Sequence, residues 1–156
     1  MDIKEFKENI PSYIQQAINV GIDTTGGRIQ LTTSMESIDD LDKVVDYIHN
    51  LYLKKLLDDN VAWNISVYLG TLLGEMIMNE GGFYWTINDD DIPVLENEKN
   101  NMLSPITKLY KIITDDNSCE GTAKGFYNAF KALEKYDSMS EEEKEKITTY
   151  INKPEE

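Results

Sequence analysis

The sequence predicts a predominantly α-helical α+β fold, in which a central buried helix lies beside a small antiparallel β-hairpin or three-stranded meander. In residues 38–56 apolar side chains recur three and four positions apart, which is the spacing of a helix that buries one face. Residues 61–79 are apolar on most sides, a pattern typical of a helix surrounded by other elements. The β-prone runs 83–87 and 92–95 flank a polar turn and predict the hairpin.

Before the central helix, the sequence predicts a short helix, a short strand and a long helix. The short helix covers 11–20, because proline suits a first helical turn and Gly21 then ends the helix. Residues 28–32 alternate briefly between polar and apolar and predict the strand. The long helix covers 37–58, with Ser37 as its cap and aspartates in its first turn, where the helix dipole favours anions. Its core-facing stripe is Ile38, Leu41, Val45, Ile48, Tyr52 and Leu56.

The central helix carries a narrow polar strip and two glycines. Asn64, Thr71 and Glu75 lie seven and four positions apart and therefore share one face. If Glu75 is enclosed, its pKa should rise, and it serves either as the acid of a ligand site or as a hydrogen-bond anchor for the hairpin backbone. Gly70 and Gly74 each weaken a helix by about 1 kcal/mol relative to alanine, so we expect another element to approach them closely.

The rest of the chain predicts a possible third strand and three more helices. Pro93 cannot donate a ladder hydrogen bond and therefore places the second strand at an edge, and residues 102–103 form the third strand. Ser104 and Pro105 supply a cap and a first-turn proline for a helix that continues to Ile113. Another helix covers 122–135, and Ser138 with Glu141 makes a capping box for a charged final helix.

Length and charge predict one domain with a basic partner. We expect a single domain over residues 1–156, with its core at about 37–136 and the charged helix 138–151 docked lightly. The chain has 29 acidic and 15 basic residues, a net charge of −14, so it should repel nucleic acid and anionic membranes. The first residues lack the order of a secretory signal, and Glu75 interrupts the longest apolar stretch. The expected location is therefore the cytoplasm.

The candidate metal and catalytic sites in the sequence do not have the residue spacing, or the number of residues, that their chemistry requires. Residues 115–121 have the acidity of a calcium loop, but their glycine falls at the seventh place instead of the sixth. The pair in 36–39 resembles one carboxylate pair of MazG-type pyrophosphatases, whereas the second pair, in 142–145, lies on a distant helix. Cys119 and His49 are each the only residue of their type, and a structural role is the simpler interpretation of both. We therefore predict no catalytic residue, no metal, no cofactor and no enzyme activity.

The middle of the chain resembles a family of small bacterial domains to which no activity is assigned. The shared order is a Tyr-Leu-Gly-x-x-Leu-Gly-Glu helix, then Gly-Gly-x-x-Trp, a Pro-Val-Leu run, a Ser-Pro helix start and a Phe-Tyr pair, here at 68–75, 81–85, 93–95, 104–105 and 126–127. These residues are glycines, aromatics and helix caps. The resemblance therefore implies a fold and not an activity, and no catalytic residue is carried over from it.

Charge and missing catalytic groups together predict a non-enzymatic acidic binding protein: an immunity protein or inhibitor of a basic bacterial toxin, such as a nuclease. Toxic nucleases carry Lys and Arg to hold RNA or DNA, so an acidic inhibitor can occupy that cleft and associate rapidly. The candidate contact residues lie in the hairpin, its turns and a second acidic patch: Asp89, Asp90, Asp91, Glu96, Glu98, Tyr84, Asp115 and Asp116. Two alternatives stay open: a regulatory or adaptor domain, and a small-ligand protein or metal-dependent enzyme that uses Glu75.

Overall fold

The computed structural model describes residues 2–117 and 119–151, and their side chains as far as residue 149. Its elements are α1 (Ile3–Thr25), α2 (Ile38–Leu53), α3 (Asp59–Asn79), β1 (Phe83–Ile87), β2 (Pro93–Asn97), β3 (Met102–Leu103), α4 (Pro105–Thr114), α5 (Ala123–Asp137) and α6 (Glu141–Ile151). The predicted fold class is confirmed: the described residues are mostly helical, with one three-stranded antiparallel sheet. The chain forms two compact units that divide between Lys124 and Gly125.

Helix α3 is the centre of the first unit, as the sequence predicts. Leu69, Leu72, Leu73 and Met76 are fully buried, and α1 and α4 pack against this helix. By length and composition α3 could cross a membrane, but more than half of its apolar window is buried inside the fold, so it is a core helix.

The two glycines of α3 mark close packing, also as predicted. A Cβ atom at Gly70 would lie 2.5 Å from the Cα atom of Ile106, so the backbone of α4 passes directly over this position. A Cβ atom at Gly74 would collide with the indole ring of Trp85 on β1. The absence of side chains at these positions therefore lets both α4 and the sheet approach the central helix.

The N-terminal helix differs from its prediction. Helix α1 begins at Ile3, because the Asp2 carboxylate caps it by accepting the backbone N–H of Glu5 at 2.7 Å. Pro11 lies inside the helix, not in its first turn. Phe6 is fully buried, with its ring 4.9 Å from that of Trp85 in an edge-to-face arrangement. The core therefore extends N-terminal of the predicted range 37–136.

Two predicted boundaries around α2 are also wrong. Residues 28–32 form no strand; Leu31 is buried there, and both the N–H and the hydroxyl of Thr32 bond to the Ser37 hydroxyl. Helix α2 ends at Leu53 instead of Asp58 because Lys55 adopts a left-handed conformation, with φ of 61°. The N–H of Lys55 and that of Leu56 close the helix end on carbonyls of its last turn, which is a common helix stop.

The sheet has the order β1-β2-β3, so the prediction of β2 as an edge strand is wrong. Pro93 is tolerated because it is the first residue of β2, where only Ile87 of β1 lies opposite. Trp85, Leu95 and Leu103 form one cross-strand row, and this row is buried. The next row, Tyr84, Glu96 and Met102, therefore lies on the opposite, outer face.

The second unit contains most of α5 and all of α6. Helix α6 begins at Glu141, and the Ser140 hydroxyl caps it by accepting the N–H of Glu143. The predicted capping box at Ser138 is wrong, because the Ser138 hydroxyl donates to the carbonyl of Lys135 and so belongs to the end of α5. The Lys144 ammonium lies 5.5 Å from the centre of the Tyr136 ring, a cation–π contact between the two helices.

Candidate partner-binding site

Both hairpin turns are held by an asparagine at their first position. The side-chain oxygen of Asn88 accepts the N–H groups of Asp90 and Ile92, at 2.9 and 3.0 Å. Asn97 repeats this pattern in the second turn, with the N–H groups of Lys99 and Asn101, both at 3.0 Å. Since the asparagines hold the turns, the carboxylates at the turn tips have no part in maintaining them.

Asp89, Asp90 and Asp91, three of the predicted contact residues, are exposed at the tip of the first turn. Asp91 has a φ of 60°, which is the left-handed conformation that the last residue of a three-residue hairpin loop commonly adopts. No hydrogen bond or ion pair among the described residues uses any of these three carboxylates. The three negative charges therefore face solvent without a counter-charge.

The outer face of the sheet brings three further side chains together. Tyr84 and Met102 are 47% and 50% exposed, and Glu96 lies between them in the cross-strand register. Glu98, in the second turn, is exposed next to this row. Met102 was not among the predicted contact residues. Because β3 has only two residues, the alternation of exposed and buried side chains could not be recognised in its sequence.

The predicted hairpin residues lie toward two ends of one sheet. Asp91 and Glu96 lie five positions apart along the turn and β2, or roughly 16 Å at the rise of an extended strand. A standard protein–protein interface covers about 800 Å² on each partner, which is wide enough to include both ends. The structure therefore allows one interface along the hairpin.

Asp115 and Asp116 form a separate patch at the other end of α4. This helix has ten residues and a length of about 15 Å, and its N-terminal end follows β3 directly. The Asp115 carboxylate accepts the N–H groups of Asn117, Glu120 and Cys119, and these bonds hold its pKa below the usual range. Asp115 is thus the organiser of its own loop, whereas Asp116 is exposed.

The loop after α4 closes a small cavity against α2 that the sequence analysis did not predict. The cavity has a volume of about 110 Å³, and its charged and polar lining includes Asp42, Asp46, His49, Asp115 and Glu120. The spacing of four and three residues between the first three was visible in the sequence and places them on one helix face. Nothing in the sequence showed that a loop more than sixty residues later would cover that face.

Among the charged and polar residues of this lining, His49 is buried and Asp42 is half-buried. His49 is 8% exposed, and its Nδ1 atom lies 3.0 Å from the carbonyl oxygen of Ile113. The Asp42 carboxylate accepts the N–H groups of Ala123 and Lys124 at the start of α5. Burial raises the pKa of the Asp42 carboxyl above its usual value, although these two donors oppose the shift.

The polar strip of α3 does not form the predicted anchor. Asn64 is exposed, Thr71 is buried with its hydroxyl unpartnered, and Glu75 is half-buried. Burial raises the pKa of the Glu75 carboxyl. Among the described residues no hydrogen bond joins Glu75 to the hairpin backbone, so its predicted role as a hydrogen-bond anchor is wrong.

The other chemical candidates are also explained by hydrogen bonds within the fold. The Cys119 thiol is exposed and donates to the carbonyl of Asn117 in its own loop. His49 bonds to Ile113 instead of to this cysteine. Within residues 2–117 and 119–151, no group of three His, Cys, Asp or Glu side chains is placed to hold a metal ion.

No family model and no curated protein matches this chain. Its fold is similar to a crystal structure of a protein from Bacteroides thetaiotaomicron VPI-5482, with a TM-score of 0.59 and 14% sequence identity. The match covers 83% of this chain and 45% of that one, so this chain spans less than half the length of its structural neighbour. At this identity the likeness shows the fold alone. The resemblance of residues 61–130 to small bacterial domains stays a prediction.

Proposed function

We propose that this chain is a non-enzymatic acidic binding protein, namely an immunity protein or inhibitor that neutralises a basic bacterial toxin, such as a nuclease, in the cytoplasm. The observation that carries the proposal is the exposed hairpin, where Tyr84, Glu96 and Met102 form one outer row. Aromatic residues and methionine are enriched in protein interfaces, and a few such side chains supply most of the binding energy.

The charge of the hairpin supports a basic partner. Between residues 83 and 103 the chain has five carboxylates and one cation, Lys99. Such a surface raises the association rate of a basic partner by about 10- to 1000-fold at low salt. A nuclease must present a cationic groove to its substrate, so it is a class of toxin to which this surface is complementary.

The test is co-expression with a basic toxic domain that is encoded beside this gene, scored by rescue of growth. We expect wild type to rescue and the triple variant Asp89→Asn, Asp90→Asn, Asp91→Asn to fail. The turn should survive these changes, because Asn88 holds it and asparagine tolerates the left-handed conformation at position 91.

The matched control is the triple variant Glu141→Gln, Glu142→Gln, Glu143→Gln, which removes the same charge from exposed positions of α6. It should rescue as wild type does. Equal rescue by both triple variants would remove the hairpin from the interface. If no basic toxic domain is encoded beside the gene, the immunity proposal fails and a regulatory or adaptor role takes its place.

The purified pair gives a sharper measurement. At low salt the hairpin triple variant should associate at least about tenfold more slowly, and the difference should shrink at about 1 M salt because the charges are screened. Tyr84→Ala should instead raise the dissociation rate, by a factor equivalent to about 1–2 kcal/mol. An unchanged dissociation rate would show that the tyrosine is not an anchor.

A further inference from the structure

Strand β1 has one open edge. It pairs only with β2, because the sheet has the order β1-β2-β3. The backbone N–H of Asn88 donates to the carbonyl of Ile92 across the first turn, and hydrogen-bonded residues alternate along an antiparallel pair. Every second residue before Asn88 therefore bonds to β2. The residues between them, Trp85 and Ile87, direct their backbone N–H and C=O groups to the opposite, open side.

These outward groups have no hydrogen-bond partner in the described part of the chain, whether backbone or side chain. Helix α1 contacts the strand through the rings of Phe6 and Trp85, and Trp85 belongs to the buried, inner row of the sheet. At the start of the strand, a Cβ atom at Gly81 or Gly82 would have no neighbour within 4 Å, so the space there is open. The edge is therefore available to another strand.

Strand β1 lacks the features that usually protect an edge. Proteins protect edge strands with charged side chains, prolines, bulges or a very short strand. The other edge of this sheet follows that rule, because β3 has only two residues. Strand β1 has five residues without a charge or a proline, and its register with β2 is continuous from Phe83 to Ile87. Its aromatic and β-branched side chains favour strand pairing, so β1 is suited to accept a further strand.

The charges around this edge favour a basic segment. Between residues 80 and 98 the chain has six carboxylates and no cation. Glu80 precedes β1 and the aspartates of 89–91 follow it, so the chain is negative at both ends of the strand. On the outer face, Tyr84 is 47% exposed and lies opposite Glu96. A lysine or arginine on an added strand can contact both this ring and this carboxylate.

A second copy of this chain fits the edge less well. Two β1 strands that pair antiparallel about Trp85 would place Asp90 of one copy opposite Glu80 of the other. Like charges at opposite positions destabilise a strand pair, and each chain has a net charge of −14. The same charges stabilise a segment that carries cations.

We propose that the open edge of β1 binds an extended basic segment of the partner as a fourth strand. The N–H and C=O groups of Trp85 and Ile87 bond to the backbone of that segment, and its lysine or arginine side chains lie on the outer face near Tyr84 and Glu96. Backbone bonds supply affinity in strand addition, and alternate side chains supply specificity. The identity of the partner as a toxin rests on the proposed function, whereas the addition of a strand does not.

The first measurement is hydrogen exchange of the backbone amides in the full chain, followed by nuclear magnetic resonance. In the free chain the amides of Trp85 and Ile87 should exchange at least about tenfold faster than those of Tyr84 and Thr86, which bond to β2. The probe is a short capped peptide in which lysine and valine alternate. At saturation it should slow exchange at Trp85 and Ile87 by at least about tenfold. Equal exchange at all of these amides in the free chain, or no slowing with the peptide, would overturn the proposal.

Two matched peptides separate strand addition from simple attraction of charge. The first carries a methyl group on every backbone nitrogen, so it keeps the charge but cannot donate to β1. The second has glutamate in place of lysine, so it keeps the backbone donors but is repelled by the carboxylates. Each should bind at least about tenfold more weakly than the probe. Equal affinity of the methylated peptide would overturn strand addition, and equal affinity of the glutamate peptide would overturn the basic segment as the occupant.

A variant of the chain tests the edge from the other side. Ile87→Pro removes an outward N–H group and leaves the bonds to β2 in place, and proline is tolerated in edge strands. It should bind the probe at least about tenfold more weakly than Ile87→Val, the control that keeps the N–H group and a β-branched side chain. Equal affinities would contradict the proposal. If Ile87→Pro does not fold, the methylated peptide decides, because it is used with the wild-type chain.

The failure of this proposal and that of the proposed function give different results, because the titrations contain no toxin. Binding of the probe by a chain that rescues no growth would keep strand addition and remove the toxin as the partner. If wild type rescues growth and Ile87→Pro rescues equally, the edge is not the toxin-binding site and the proposal is wrong. A dimer that protects the amides of Trp85 and Ile87 without peptide would also overturn it, in favour of a second copy.

Discussion

Replacement of Gly70 by alanine is the most direct test of the packing around α3. The new Cβ atom would lie 2.5 Å from the Cα atom and 2.9 Å from the backbone nitrogen of Ile106, whereas ordinary contact begins near 3.4 Å. Helix α4 must therefore move by about 1 Å. Overpacking of this kind costs about 1–3 kcal/mol, and alanine regains up to about 1 kcal/mol through helix propensity. We expect a net loss of about 1–2 kcal/mol, or about 2–8 °C in Tm for a chain of this length.

The measurement is thermal and urea unfolding followed by circular dichroism, with Gly21→Ala as the control. A Cβ atom at Gly21 would lie 3.2 Å from the Cγ atom of Leu31, which can shift because it belongs to a flexible side chain. The stability of the control should change by less than about 1 kcal/mol. If Gly70→Ala were as stable as wild type, the close approach of α4 would be refuted.

Three further changes test separate features. Glu75→Gln should raise Tm near neutral pH but not at about pH 4. Burial raises the pKa of the Glu75 carboxyl above 4.5, so the folded state of wild type loses stability as pH rises from 4.5 through that higher pKa. A difference in Tm that does not depend on pH would contradict this reasoning. Lys55→Gly should stabilise the chain by about 0.5–1 kcal/mol, because glycine adopts a φ of 61° without strain; a loss of stability in urea unfolding would contradict this. Asp115→Ala should speed hydrogen exchange at the backbone N–H groups of Asn117 and Glu120, which the Asp115 carboxylate accepts. Because the pKa of this carboxyl is held below 3.8, wild type should keep the protection at neutral pH and lose it as pH falls through that pKa. Unchanged exchange in the variant would refute the role of Asp115.

The fold was predictable where local chemistry and tertiary packing agree. The glycines of α3 have no local purpose in a helix, so their cost indicated a close neighbour, and Ile106 and Trp85 are those neighbours. The turns of the sheet were equally clear, because Asn88 and Asn97 stabilise turns with their own side chains. In each case the residue type alone indicates the local geometry: glycine in a helix indicates a close neighbour, and asparagine indicates a turn.

Predictions failed where a distant contact overrides the local signal. Pro11 is typical of a helix start, yet α1 begins eight residues earlier, where Asp2 supplies a cap and Phe6 packs under Trp85. Pro93 marked β2 as an edge, but the third strand pairs only with residues beyond it. Tertiary packing decides both, and it has no local signature in the sequence.

The cavity between α2 and the loop after α4 could not be predicted from the sequence for the same reason. Asp42 and His49 were interpreted separately, as a helix-start anion and a structural histidine. The structural role of His49 agrees with its bond to Ile113, whereas Asp42 lies beyond the first turn of its own helix and instead caps α5. What the sequence could not show is that both bonds cross more than sixty residues and hold the two side chains beside the Asp115 loop. A candidate site formed by long-range contacts requires a structure.

Two groups of carboxylates in this acidic chain differ in what they do for the fold. Asp2, Asp58 and Asp115 accept backbone N–H groups, so their negative charge stabilises a helix start or a loop. The carboxylates of 89–91 hold nothing in the described structure, because Asn88 provides the turn's acceptor. Neutralising the first kind would lower stability and binding together. A loss of binding at 89–91 with unchanged Tm would therefore measure the electrostatic contribution of the hairpin alone.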